Sequence, residues 1–246
     1  MITFSNLGKH GKMGNQFFQI STVFSHCMKY NYDYIFPEWK YNRHLDKPIK
    51  TGKVSQVLTQ FREKDPFSYS QIPQIDNIDL IGYFQNENYF SCHKKEIVDL
   101  FDPNDVIKSK VYLTDFDGLT AIHVRRGDYL NFPLHHPVPS LSYYNTAISN
   151  LKNISKNFMV FSDDIPWCKE QFPSNFLYSE ETDEFIDLFK MSLCSNFIIA
   201  NSSFSWWGSY LSKNPSKKIY APDNWVGRGY SGTGWRQVYR KEMIIL

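Results

Sequence analysis

The sequence has no apolar run long enough to cross a bilayer as a helix. It has few cysteines: Cys27, Cys92, Cys168 and Cys194 match no zinc or redox spacing and read as reduced core or surface thiols. No charge of one sign dominates, since 27 Lys and Arg against 25 Asp and Glu leave a net charge of +2. That balance excludes a broad nucleic-acid surface but allows a local basic pocket. There is no internal repeat and no low-complexity tract. Met1 opens straight into strand-like sequence with no leader or anchor pattern. For a chain read as whole, the expectation is a cytoplasmic protein with no integral membrane segment, a peripheral contact with a membrane being left open.

What is present suits one large domain or two small ones. The 246 residues, 42% hydrophobic, suffice for a sizeable core. Aromatic residues reach 17%. Most such rings build cores, but they also line sugar-binding grooves, where ring faces meet C–H groups and polar tips reach hydroxyls.

Residues 2–7 read as a strand, followed by a loop with Gly8, Gly11 and Gly14. Phe17, Ile20, Phe24 and Met28 recur at helical spacing and predict a helix over 15–30. Residues 34–36 suggest the next strand. The stretch 37–117 is broken by Pro48, Pro66, Pro73 and Pro103, with short strand or helix pieces expected at 54–58 and 96–100. Beyond it, strands at 119–124, 158–162, 176–178, 197–200 and 218–221 alternate with helices at 142–151, after Pro166, at 183–193 and at 203–211. Alternation of this kind implies α/β architecture with a parallel, doubly wound sheet whose strand carboxyl ends share one edge. The expected division is an N-terminal α/β domain, 1–117, and a C-terminal Rossmann-like domain, 118–246, facing each other across a cleft.

Three segments fall at strand carboxyl ends, where open α/β sheets bind ligands. His123, Val124, Arg125, Arg126, Gly127, Asp128 and Tyr129 sit at the carboxyl end of the first strand of the second domain. Adjacent arginines there call for an anion, and a guanidinium fork matches phosphate oxygens. The competing reading is a pair of surface ion pairs. Ser162, Asp163 and Asp164 close the next strand. Asn201, Ser202, Ser203 and Phe204 lead into a helix, where side-chain caps and free N–H groups make an anion site. One of Trp206 and Trp207 is expected in the core. In the first domain Gly11, Lys12, Met13, Gly14, Asn15 and Gln16 form a glycine loop that is neither a dinucleotide fingerprint nor a P-loop, yet is placed to serve as a second jaw on a pyrophosphate. A metal site is not expected: the D-x-D at Asp115 and Asp117 precedes a strand, at the wrong edge, and His135 and His136 sit in a proline-flanked loop.

The segments GKMGNQFFQ, IHVRRGDY, FSDDIPWC and ANSSFSWWGSYL, spanning Gly11 to Leu211 in that order, resemble the α-1,2-fucosyltransferases of glycosyltransferase family 11. The second and fourth are specific; the first is shared more loosely with other fucosyltransferases. The resemblance implies a GT-B-like fold, a GDP-fucose donor, a galactose-containing glycan acceptor, inversion at the anomeric carbon and no cofactor or metal. It implies that Arg125 or Arg126 binds the β-phosphate, that Gly14, Asn15 and Gln16 touch the pyrophosphate, and that Ser162, Asp163, Asp164, Asn201, Ser202, Ser203 and Phe204 hold the nucleotide. Asp128 is either a general base for the acceptor hydroxyl or an orienting partner of the arginines, and His123 supports the site from behind. A transferase of another nucleotide deoxysugar, and a non-catalytic glycan- or nucleotide-binding protein, are the alternatives.

Overall fold

The computed structural model describes residues 1–54 and 59–246. The chain divides into two compact units, Met1–Ser109 with Gly232–Tyr239, and Lys110–Ser231 with Arg240–Leu246. The first division thus falls at 109/110, where 117/118 was expected, and a C-terminal excursion joins the first unit.

The first unit holds β1 (Ile2–Thr3), α1 (Met13–Tyr30), β2 (Thr59–Arg62), β3 (Ile78–Ile81) and α2 (Lys94–Leu100). Its strands form a parallel sheet in the order β1-β3-β2. The expected strand over 2–7 is cut to two residues for a visible reason. Ser5 donates its N–H and hydroxyl to Asp79, at 2.9 and 2.6 Å, and the chain turns back at Leu7. Residues 34 and 36 contribute only isolated bridges, to Ile2 and Thr51. The expected piece at 96–100 is the body of α2, and the one at 54–58 lies, beyond Val54, outside the described residues. Helix α1 starts two residues before its expected first residue and is buried on nearly every side, with Phe17, Phe18, Ile20 and Val23 fully enclosed. Each such side chain contributes about 1.5–3 kcal/mol. Asn31, in the left-handed region at φ 56°, ends the helix, as Asn does more readily than most residues.

Helix α3 (Asp105–Val111) crosses the division between the units. The second unit follows with β4 (Leu119–Val124), α4 (Leu141–Leu151), β5 (Asn157–Ser162), α5 (Ile165–Gln171), β6 (Leu177–Tyr178), α6 (Glu184–Leu193), β7 (Asn196–Ile198), α7 (Ser203–Leu211), β8 (Ile219–Ala221) and β9 (Met243–Ile245). All six strands are parallel, in the order β6-β5-β4-β7-β8-β9. Counted within the unit this is 3-2-1-4-5-6, the dinucleotide-fold order, whose direction reverses between β4 and β7. The central strand β4 is buried along its whole length, as a strand covered on both faces must be. Trp206 and Trp207 are both fully buried, so the expectation of one core tryptophan is corrected to two. No described helix is long and apolar enough to cross a membrane.

Candidate active site

The sheet order reverses between β4 and β7, and open α/β sheets bind ligands at the carboxyl edge beside such a reversal. His123 is the penultimate residue of β4, and Arg125, Arg126 and Asp128 follow it at that edge. Arg125 donates to Asp128 at 2.5 Å and pairs with Asp163 at 3.0 Å. Arg126 donates through Nε to Asp164 at 3.0 Å, and its guanidinium lies 3.9 Å from the centre of the Trp167 ring. The Arg126 backbone N–H donates to Asp163. Ion pairs are therefore present, as the competing reading required, but at the carboxyl edge of the sheet and with both arginine side chains only 18% exposed.

The two carboxylates after β5 face the arginines and fix them. Asp164 also caps α5, accepting from Trp167 N–H, and Ser162 accepts from Asp164 N–H at 2.9 Å. Gly127 leaves room here for Asp163: a Cβ at that position would collide with the Asp163 carboxylate and displace it. Two guanidiniums face three carboxylates, Asp128, Asp163 and Asp164. The cluster is therefore not a bare cationic pocket, and an incoming anion has to compete with a carboxylate already in place.

The segment after β7 meets the same strand from the other side. The Phe204 ring stacks on His123 with centroids 5.1 Å apart, and Tyr129 donates its hydroxyl to the Asn201 carbonyl at 3.1 Å. Ser202, not Asn201, caps α7, accepting from Phe204 N–H. Ser203 is the first residue of that helix. Asn201 donates its amide to the carbonyls of Pro137 and Trp225. Among the described residues His123 Nδ1 and Asn201 Oδ1 are buried with no hydrogen-bond partner. Burial, reinforced by the Arg125 charge, lowers the His123 pKa to about 3, so its imidazole is neutral at physiological pH. Burial likewise pushes the Tyr129 phenol up to about 12.

The glycine loop belongs to the first unit. Gly8 and Gly11 both have φ +81°, a conformation that L side chains avoid. Gly14 and Asn15 lie in the first turn of α1, whose start has no side-chain cap. Gln16 is almost buried and works as a strut, donating to the Gly11 carbonyl at 2.9 Å and accepting from Trp39 at 2.8 Å. Asn15 accepts from Gln85 at 2.8 Å.

Sequence reasoning missed what holds this loop. Glu63, just after β2, accepts from the backbone N–H groups of Tyr83 and Phe84 at 2.7 to 3.0 Å. That clamp keeps Phe84 at φ 54°, costly for an aromatic residue. The clamped turn carries Gln85 to Asn15, Tyr83 to the His10 ring at 4.3 Å, and the Gly82 carbonyl to Gln19. Burial raises the Glu63 pKa to about 7 against the opposing effect of the Phe84 and Tyr83 N–H groups. Nothing local in the run from Arg62 to Asp65 signals such a role. Trp167 and Tyr129 lie inside the quoted motifs, but sequence reasoning assigned neither of them a role.

The expected D-x-D is remote from this edge: Asp115 and Asp117 precede β4, where Asp117 pairs with Lys156. His135 and His136 lie in the loop before α4, and the His136 ring stacks on Tyr129 at 4.7 Å.

Residues 5–245 match the family model of Glycosyl transferase family 11. Among curated proteins, the chain is 32% identical over 164 residues to the O-antigen biosynthesis glycosyltransferase WbnK of Escherichia coli, across 59% of this chain and 54% of that protein. It is 35% identical over 168 residues to an alpha-1,2-colitosyltransferase of Escherichia coli, across 62% and 57%. It is 29% identical over 155 residues to a galactoside 2-alpha-L-fucosyltransferase of Caenorhabditis elegans, across 56% and 43%. The matches thus span about half the length of these relatives. Among solved structures, it is similar to NodZ alpha-1,6-fucosyltransferase soaked with GDP-fucose, at a TM-score of 0.54 and 11% identity over 85% of this chain and 91% of that one. It is similar to POFUT1 in complex with GDP, at a TM-score of 0.54 and 11% identity over 89% and 97%. The shared fold is α/β of the GT-B type.

Proposed function

The chain belongs to glycosyl transferase family 11, and from that premise we propose that it is an inverting, metal-independent transferase moving L-fucose from GDP-fucose to a galactoside hydroxyl in α-1,2 linkage. The observation that carries this reading is the oriented arginine pair at the reversal point of the second unit's sheet. When the glycosidic bond to GDP breaks, negative charge grows on the β-phosphate and positive charge on the sugar. Fixed guanidiniums and helix N–H groups stabilise the departing phosphate, and one preorganised donor of this kind contributes roughly 3–4 kcal/mol. The second unit is the nucleotide-sugar side in this reading and the first the acceptor side.

Of the three carboxylates, Asp128 is the most exposed, at 45%, and holds Arg125 from within the same turn. In the proposed sequence the β-phosphate replaces Asp128 on Arg125. The released carboxylate then takes the acceptor proton as its oxygen attacks the anomeric carbon. A base so placed typically contributes a hundredfold or more. The orienting and catalytic roles of Asp128 become successive states of one residue. His123, neutral and buried under Phe204, supports the arginines without titrating.

The test is acceptor-dependent GDP release from GDP-fucose with lactose in the presence of EDTA, followed by NMR of the product. Release under chelation with an α-1,2 product is expected; release only on adding a divalent cation contradicts metal independence. A second reading has a specific observation behind it. The similarity to an alpha-1,2-colitosyltransferase favours another nucleotide-activated deoxysugar at the same site, and direct competition between the two donors separates them.

A further inference from the structure

A cavity of about 240 Å³ opens in the first unit beside the last turns of α1. It is smaller than the range typical of drug-sized ligands and suits a single sugar ring. Helical rise over the eleven residues from Asn15 to His26 puts it about 16 Å along α1 from the glycine loop. It is therefore separate from the glycine loop at the other end of that helix.

The lining has the chemistry of carbohydrate recognition. Tyr69 and Tyr89 make a corner, with ring centroids 4.9 Å apart and planes at 49°. Tyr89 is 7% exposed, packed edge-on with Phe84, and its hydroxyl is taken up by Ser70 N–H, so it backs the corner, while Tyr69, 46% exposed, presents its ring. Gln71 and Asn88 supply amide groups, both on exposed residues. Among the described residues, Lys29 is the one lysine or arginine of the lining, 5.1 Å from the centre of the Tyr30 ring, and none of the lining residues carries a carboxylate. His26, 7% exposed, also lines it and keeps Nε2 without a partner among the described residues. An exposed tyrosine ring and the amides on the rim match the C–H face and hydroxyls of a neutral sugar. They offer little to a diphosphate, which needs paired cations.

We propose that this cavity is a glycan-binding subsite of the first unit, taking one neutral sugar ring of a chain whose reacting hydroxyl lies elsewhere. The role in transfer rests on the function proposed above, but the binding does not.

Cys92 lines the cavity and is exposed, whereas Cys27, Cys168 and Cys194 are buried. A maleimide on the folded protein therefore reports on this cavity alone. The rate of Cys92 labelling is measured with a panel of neutral galactose- and N-acetylhexosamine-containing tetrasaccharides at millimolar concentration, and separately with GDP. At least one tetrasaccharide is expected to slow labelling severalfold while GDP does not. The double variant Tyr69→Ala, Gln71→Ala is expected to lose that protection and to raise KM for the same tetrasaccharide severalfold, with kcat on lactose unchanged. Labelling indifferent to every glycan, protection by GDP alone, or protection that survives in the double variant each overturns the proposal. Protection by glycan in a protein that transfers no fucose from GDP-fucose to any of the protecting glycans or to lactose sustains the subsite and removes the fucosyltransferase reading instead.

Discussion

Arg125 is held by two carboxylates, and a phosphate reaching it has to displace one of them. Arg125→Ala and Arg126→Ala are each expected to lower kcat by about 10²–10³, the value of one preorganised donor, with circular dichroism and melting near wild type. Wild-type turnover in both variants would contradict the proposed role. Lysine is a poor substitute at either position, since it lacks the fork that meets two oxygens and the plane that stacks on Trp167. Asp128→Asn separates the two states assigned to that residue. If Asp128 leaves Arg125 when the nucleotide enters, the variant binds GDP at least as tightly as wild type by calorimetry while kcat falls about a hundredfold. Weaker GDP binding with kcat preserved would make it an orienting residue only.

The buried His123 and the half-buried Glu63 make opposite contributions to stability across pH. His123 titrates near 3 in the folded chain against 6.5 in the unfolded one, so its contribution is complete above 6.5 and is lost as pH falls toward 3. Glu63 titrates near 7 against 4.5, so its contribution is complete below 4.5 and is lost as pH rises through 7. Thermal melts of Glu63→Gln should show a flatter profile than wild type between pH 4.5 and 7. A decline of wild-type steepness in the variant would mean that the carboxylate is not the titrating group.

At the scale of elements, the second unit was readable from sequence and the first largely was not. Strand β4 and helix α7 fall where apolar runs and Ser-led starts put them, because each lies in one buried layer with its periodicity intact. The edge strand β9 was not anticipated, being three residues long. In the first unit β2 is exposed or half-exposed throughout, so burial leaves no mark on its sequence. Residues 87–93 wind into two short 3-10 turns with no repeat to detect. The candidate site divides the same way. Motif positions gave the strand ends, whereas the pairing of Asp163 and Asp164 with the arginines and the hold of Glu63 on residues twenty positions on are three-dimensional facts. Gly127 ties element to site. Gly127→Ala is expected to push Asp163 off Arg125 and cut kcat tenfold or more without altering the melt, whereas retention of full activity would show that the turn has slack.

The whole molecule is two units whose sequences interleave. Gln237, from the excursion, accepts from Tyr69 N–H at 3.2 Å and from Asn86 at 2.9 Å, and Gly234 sits where a Cβ would collide with Ser68. A chain ended at Ser231 therefore lacks part of the first unit and also β9 of the second. It is expected to be less protected from limited proteolysis in both units, with new cuts around 65–90 as well as in the second unit. Unchanged protection in the first unit would show that residues 1–109 are complete without the excursion.

The same interleaving has a consequence for how the chain is made. A ribosome delivers residues 1–109 first, yet the segment that finishes their unit emerges about 130 residues later, roughly 10 s at ordinary elongation rates. Through that interval the first unit has to wait as an unfinished nascent domain while the second is being synthesised, an opening in which a chaperone has something to hold.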